Sequence, residues 1–313
     1  MTVALHDLLA LAGAVVLAGV GGELFIKGVL GAAESLRIPK LLVATSLAAF
    51  ATSSPELTVS SVAALAGKPE IGLGDALGSN VVNIALVFGL ALLFGPLRIE
   101  AREHGREFIL ALAIPLLTFW FASDGLISRY EGFALLACFA VWMGAIIRSG
   151  LAAREIETAP NGSHPWRSLV FGLVGLVALV FAGRLFVAGT SGIASAFGVD
   201  GYIIGATAVA IGTSLPELVT VLLSRLRGHD DVGVGTLLGS NLFNGMAIVG
   251  VAASIHPINA PFMEIAVALG MGMLSLLLLI PGRGGVIGRS RGFMLLGAYG
   301  AFVFATVAVG RTV

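Results

Sequence analysis

The sequence predicts an all-α integral membrane protein, with ten transmembrane helices arranged as two five-helix repeats of inverted topology. Three observations carry this expectation. Apolar residues make up 57% of the 313 and charged residues only 12%, about half the charged share of a soluble domain, and the mean hydropathy is +1.00. Apolar runs of roughly 20 residues, the length that crosses a bilayer as a helix, recur along the whole chain. A pair of polar motifs inside those runs occurs twice, with Glu56 of the first copy and Glu217 of the second 161 positions apart.

The expected spans cover 5–34, 40–66, 71–96, 107–123, 131–149, 167–197, 201–226, 232–255, 262–281 and 292–310. The first and sixth exceed what a bilayer requires and are expected to tilt. No Lys or Arg precedes the first run, so it lacks the charged start of a cleaved signal peptide and reads as the first span. The polar stretch RSGLAAREIETAPNGSHPWRS at 148–168 divides the chain. The organisation expected is one transmembrane domain, 1–313, built from a first repeat (1–149), a linker (150–166) and a second repeat (167–313).

Loop charges orient this layout. Thirteen of the 18 Lys and Arg fall in loops on one side; Lys68, Arg129 and Arg311 fall on the other, and Lys27 and Arg184 lie within spans near their ends. Positive loops stay in the cytoplasm. An inner-membrane protein with both termini outside and a cytoplasmic linker follows. Net charge is zero, which gives no reason to expect a nucleic-acid partner, and no obligatory protein partner is evident. Cys138, the single cysteine, reads as a small apolar residue. The five histidines lie in loops or near the terminus without metal-ligand spacing.

The repeat is gapless over some 70 residues. AFATSSPEL (49–57) aligns with AIGTSLPEL (210–218), and LGSNVVN (77–83) with LGSNLFN (238–244). Composition bias explains matched Gly and Leu, but not two copies of TSxPEL each followed by GSNxxN. Five spans separate the copies, and an odd number inverts the second. Inverted repeats of this kind build secondary transporters whose sites lie at the bilayer midplane on interrupted helices.

Glu56 lies 16 residues after Lys40 and 12 before Lys68, or about 24 and 18 Å along a helix, which puts it near mid-membrane. Glu217 is placed similarly. A charge there costs about 3 kcal/mol on insertion scales, and no Lys or Arg in these spans is placed to pair with it. A cation is the natural partner. Pro55 and Pro216 each remove an N–H and push on the carbonyl four residues back, at Ala51 and Gly212, which is expected to turn those carbonyls toward a polar cavity. Thr52, Ser53, Thr213 and Ser214 add hydroxyls. Ser79 and Asn83, four apart, share one helix face, as do Ser240 and Asn244. Oxygen donors without Cys, His or Met suit Ca²⁺ or Na⁺, and Mg²⁺ less because it dehydrates reluctantly.

TSSPEL with GSNVVN, and GTSLPEL with GSNLFN, resemble the two alpha-repeats of the cation/Ca²⁺ exchanger superfamily, in its prokaryotic sodium/calcium exchanger branch. The resemblance covers both repeats and the ten-span layout. It implies Na⁺/Ca²⁺ antiport by alternating access, with no cofactor and no enzymatic activity. It implies that Glu56 and Glu217 bind Ca²⁺ and share in binding Na⁺. Thr52, Ser53, Thr213, Ser214, Ser79 and Ser240 would complete the Na⁺ sites together with the backbone carbonyls of Ala49 and Ala210. Asn83 and Asn244 would line the centre, and the spans at 5–34 and 167–197 would slide against the rest. Many relatives carry Asp where this chain has Asn244, which leaves two central carboxylates here.

The alternative within the same architecture is H⁺-coupled or K⁺-dependent cation exchange, since two close carboxylates titrate as a pair. A membrane protease is the alternative from another class: GLGD (72–75) resembles an intramembrane aspartyl-protease motif. Asp75, however, lies only a few residues into its span, and no second aspartate occupies a transmembrane centre.

Overall fold

The computed structural model describes residues 5–98, 101–154, 165–198, 210–260, 262–280 and 285–310. The first half holds α1 (Leu5–Leu36), α2 (Lys40–Thr52), α3 (Ser54–Leu65), α4 (Pro69–Leu93), α5 (Ala101–Phe121) and α6 (Arg129–Arg154). The second holds α7 (Pro165–Ala196), α8 (Ala210–Thr213), α9 (Leu215–Leu226), α10 (Asp230–Ile255), α11 (Phe262–Leu278) and α12 (Arg289–Gly310). Large side chains such as Trp120, Val141 and Phe304 point outward from the bundle, as expected where lipid is the solvent. The protein is a mostly helical, multi-pass membrane protein.

Among the described residues, seven helices are long and apolar enough to cross a membrane: α1, α4, α5, α6, α7, α10 and α12. The sequence predicts ten spans, and three of them differ. The second, expected as one run over 40–66, is interrupted at Ser53. The seventh, expected over 201–226, is interrupted at Ser214, and 201–209 lie outside the described residues. The ninth, α11, has 17 residues, short of the roughly 20 that bridge hydrocarbon. The helices also enter the stretch expected as linker, of which 155–164 lie outside the described residues. Helix α6 runs on through Ser149–Arg154 and α7 starts at Pro165, because helices extend past the bilayer wherever the residues are good helix formers, as Leu151 to Arg154 are.

The two GSN-bearing helices form the centre. The most apolar stretches of α10 and α4 are 83% and 72% buried, against 22–28% for the other five long helices. Val87, Phe88 and Leu92 of α4 share one core cluster with Leu237, Leu238 and Leu242 of α10. Outside it, α1 and α7 pack antiparallel along their length. That approach needs glycine: a Cβ on Gly28 would lie 2.4 Å from Gly172 Cα. Lacking a hydrophobic drive in lipid, helices associate through such close backbone contact.

Contacts at the centre join residues 161 positions apart. Asn80 Nδ2 donates to the Asn241 carbonyl and Asn241 Nδ2 to the Asn80 carbonyl, both at 3.2 Å. Two short antiparallel ribbons, which the sequence does not predict, tie the loops. β1 (Leu97–Arg98) pairs with β4 (Val286–Ile287), and β2 (Leu126–Ile127) with β3 (Ile258–Asn259). Ile258 follows Leu97 by 161 residues and Ile287 follows Ile127 by 160, and these two shifts carry one ribbon onto the other.

The Asn pair gives a first test. Asn241 makes two bonds, since its Oδ1 also accepts from Asn83 Nδ2 at 3.1 Å, whereas Asn80 makes one side-chain bond and keeps a buried, unpartnered Oδ1. Thermal melts in detergent should show Asn241→Ala destabilising by about 2–3 kcal/mol and Asn80→Ala by about 1 kcal/mol or less. Equal losses would contradict this bonding.

Candidate cation site

Both TSxPEL motifs fold as a broken helix. Helix α2 ends at Thr52, Ser53 leaves helical geometry at φ −89°, ψ 6°, and α3 starts at Ser54 with Pro55 in its first turn. In the second copy α8 ends at Thr213, Ser214 has φ −85°, ψ 11°, and α9 starts at Leu215 with Pro216 in its first turn. Proline is tolerated there because first-turn N–H groups have no intrahelical acceptor. Glu56 and Glu217 are each the third residue of the new helix, where the free N–H groups and the helix dipole favour a negative charge.

This geometry corrects one expectation. The Ala51 carbonyl is taken up locally instead of turning toward a cavity, whereas Gly212 does line one. The Ala51 carbonyl accepts the Ser54 hydroxyl at 2.7 Å, and the Gly212 carbonyl is pressed against α7, 2.3 Å from where a Gly183 Cβ would stand. The interruption two residues before each proline, at Ser53 and Ser214, absorbs it.

The motif side chains meet across the two halves. Ser53 Oγ donates to Glu217 Oε1 at 3.2 Å, and Ser240 Oγ donates to the same oxygen at 3.3 Å. Thr52 Oγ1 lies 3.3 Å from Ser240 Oγ. The Ala49 carbonyl accepts the Ser53 N–H at 3.0 Å and faces Thr52 Oγ1 at 3.3 Å. Asn83 and Asn244 sit in π-helical turns, Val82–Val87 and Phe243–Ile248, each of which begins one residue before its Asn. Such turns interrupt regular helices mostly at functional sites. Ser79 is buried on the α4 face and Thr213 closes α8. Of Ala210, only its place as the first residue of α8 is described.

Glu56 and Glu217 are 2% and 1% exposed, and no Lys or Arg is buried among the described residues. Glu56 feels the charges of both Glu217 and Asp75. Among the residues expected as ligands, five buried oxygens have no hydrogen-bond partner: Glu56 Oε2, Glu217 Oε2, Asn83 Oδ1, Asn244 Oδ1 and Ser214 Oγ. Buried acceptors left open are rare. Open acceptors gathered on two acids with no buried counter-charge make a site for a hard cation. Among the described residues, no three His, Cys, Asp or Glu cluster in a way that could hold a metal; the donors here are mainly hydroxyls and amides.

A cavity of ≈ 680 Å³ reaches this region between α3, α7 and the α8/α9 break, lined by Ser54, Pro55, Thr58, Arg184, Thr213 and Pro216 among others. Arg184 is therefore part of a cavity wall, its guanidinium 5.7 Å from the Phe181 ring. On the other flank α1 closes on α9: a Cβ on Gly22 would lie 2.5 Å from Leu223, and Arg227 pairs with Glu23. Sequence reasoning gave no role to Asn80 and Asn241, whose only signal was their place inside GSNxxN. It also dismissed Asp75 from its distance to the span end.

The sequence profile of a family described as sodium/calcium exchanger protein matches residues 6–148 and 167–308. The inner membrane protein YrbG of Escherichia coli (strain K12) is 32% identical over 231 residues, which cover 70% of this chain and 71% of that protein. The sodium/calcium exchanger MaX1 of Methanosarcina acetivorans is 26% identical, over 90% of this chain and 93% of its own. Among solved structures, the sodium-calcium exchanger NCX_Mj soaked with zero Na⁺ and Ca²⁺ matches with a TM-score of 0.81 at 27% identity, over 95% of this chain and 97% of that one.

Proposed function

The chain belongs to the sodium/calcium exchanger protein family, and on that premise we propose that it exchanges Na⁺ for Ca²⁺ across the membrane by alternating access. It is a membrane antiporter and not an enzyme. The observation that carries the reading is the set of five buried, unpartnered oxygens around two carboxylates without a buried basic residue. Ca²⁺ takes six to eight oxygen ligands and neutralises two acids at once. Glu56 and Glu217 would bind it, with Asn83 and Asn244 at the centre. Thr52, Ser53, Ser79, Thr213, Ser214 and Ser240, with the carbonyls of Ala49 and Ala210, would hold Na⁺ when it replaces Ca²⁺. The hydroxyl set favours Na⁺ as the coupling ion, because a proton needs no coordination shell.

The ten-span, inverted two-repeat architecture belongs to the same proposal, with repeats 1–149 and 167–313 around a cytoplasmic linker and both termini outside the inner membrane. The reciprocal Asn80–Asn241 bonds and the two ribbons, related by shifts of 161 and 160 residues, support it. The open cavity against α7 and the closed contact of α1 on α9 support alternating access. The cavity lies along α3 beyond Glu56, on the flank that loop charge assigns to the outside.

Everted vesicles carrying the protein and loaded with Na⁺ should accumulate ⁴⁵Ca²⁺ in proportion to the Na⁺ gradient. Uptake that ignores Na⁺ and follows a pH gradient, or that requires K⁺, would replace this reading with H⁺-coupled or K⁺-dependent exchange.

A further inference from the structure

A third carboxylate stands beside the two central acids, on one flank only. Asp75 lies on α4 one turn before Ser79 and two before Asn83, so the three share a face. Helices α3 and α4 run antiparallel, and Ser60 Oγ donates to the Gly72 carbonyl at 3.2 Å. Four residues back along α3 from Ser60 is Glu56; four residues on along α4 from Gly72 is Ala76, next to Asp75. The two steps run in the same direction, so Glu56 and Asp75 stand at one level. Asp75 Oδ2 is buried without a partner, as is Glu56 Oε2, and neither acid forms an ion pair among the described residues. The second half is built differently. The position 161 residues on from Asp75 is Thr236, whose hydroxyl is taken up by the Val232 carbonyl at 2.8 Å. That position is neutral, and its hydroxyl is satisfied within its own helix.

We propose that Asp75 is an outer carboxylate beside the cation site, supplied by α4 on one flank only, and that it sets the preference for a divalent over a monovalent ion. The inference rests on the midplane cluster being the cation site proposed above. Asn244 brings no charge to the centre, and Asp75 returns the local count of acids to three. One helical turn separates it from Ser79, about 6 Å, so it acts on an ion at Glu56 through its field and not as an inner ligand. Coulomb energy scales with the charge of the ion, so one added negative charge changes ln K for Ca²⁺ twice as much as for a single Na⁺.

The test is equilibrium binding of ⁴⁵Ca²⁺ to the full chain in lipid nanodiscs, with Na⁺ as competitor, at one pH. Asp75→Asn should weaken Ca²⁺ about tenfold and each Na⁺ about threefold, while Asp75→Glu, which keeps the charge, should stay within about twofold of the unaltered protein. Asp75→Thr installs the residue of the second half and should match Asp75→Asn; it carries the measurement if the Asn variant does not fold. Unchanged Ca²⁺ affinity, equal losses for both ions, an Asp75→Glu variant as weak as Asp75→Asn, or failure of both neutral variants to fold would each overturn the proposal. Unaltered protein that binds Ca²⁺ but shows no Na⁺-driven flux would overturn the exchange reading and leave Asp75 in place. Protein that exchanges but is indifferent to the charge at 75 would overturn only Asp75, and protein that binds no Ca²⁺ would overturn both.

Discussion

Glu56→Gln and Glu217→Gln are each expected to abolish Na⁺-dependent Ca²⁺ flux while leaving the protein inserted and folded. Glutamine keeps the shape of glutamate, removes the charge and can place an N–H where a cation needs an oxygen. Removing one partner of a buried charge pair costs about 3 kcal/mol or more, so flux should fall at least about a hundredfold. Stability separates this from a structural role. Without Ca²⁺ the native protein buries two acids with no counter-charge, so either neutral variant should melt at the same temperature or higher in Ca²⁺-free buffer. Ca²⁺ raises the melting temperature of native protein by mass action, and both variants should lose that rise. A variant that keeps full flux, or one that still melts later in Ca²⁺, would mean the midplane acids are not the ligands.

Gly239→Val is expected to have the largest effect on folding. A Cβ at Gly239 would lie 2.2 Å from the Thr45 carbonyl oxygen and 2.7 Å from Ala49 Cβ. Neither obstacle is a flexible side-chain end; both belong to the α2 chain, in and just after its π-helical turn Ala44–Ala48. Overpacking of a tight interior costs about 1–3 kcal/mol, and a branched side chain at a helix crossing should reach or exceed the upper figure. Ser240, the next residue, would lose its contacts with Thr52 and Glu217, so molecules that do fold should transport poorly. The control is Gly144→Ala, where an added Cβ meets no described atom within 4 Å. Size-exclusion profiles and melting curves decide the matter: a Gly239→Val protein as monodisperse and heat-stable as the control would show that α10 and α2 do not cross this closely.

Much of the site was legible in the sequence because its chemistry is costly in lipid. A carboxylate at mid-depth, repeated at a fixed spacing with the same hydroxyls and amides around it, has few explanations, and the structure brings Thr52, Ser53, Glu217 and Ser240 within hydrogen-bond reach of one another. What was not legible is where the helix breaks. Proline marks a disturbance, but the same residue permits a kink with open carbonyls or a fresh helix start, and the energies of the two are close. The choice depends on Ser54 reaching the Ala51 carbonyl and on α7 covering Gly212. The level at which Asp75 stands was not legible for a similar reason. Its distance from the end of its span is a one-dimensional quantity, whereas its nearness to Glu56 comes from the register of α3 on α4.

The sequence by itself determined that the chain lies in a membrane, that two matching polar motifs occur 161 positions apart inside apolar runs, and that their side chains carry hard oxygens. Those properties follow from hydropathy, spacing and side-chain chemistry, which are local. Tertiary structure alone decided that Ser53 of one half bonds Glu217 of the other, that Asn80 and Asn241 exchange bonds at the centre, that one flank is open while the other is closed, and that the register of α3 on α4 sets Asp75 level with Glu56. Each of these depends on the angle and register at which helices cross, and close backbone packing sets both through contacts between residues far apart in the chain.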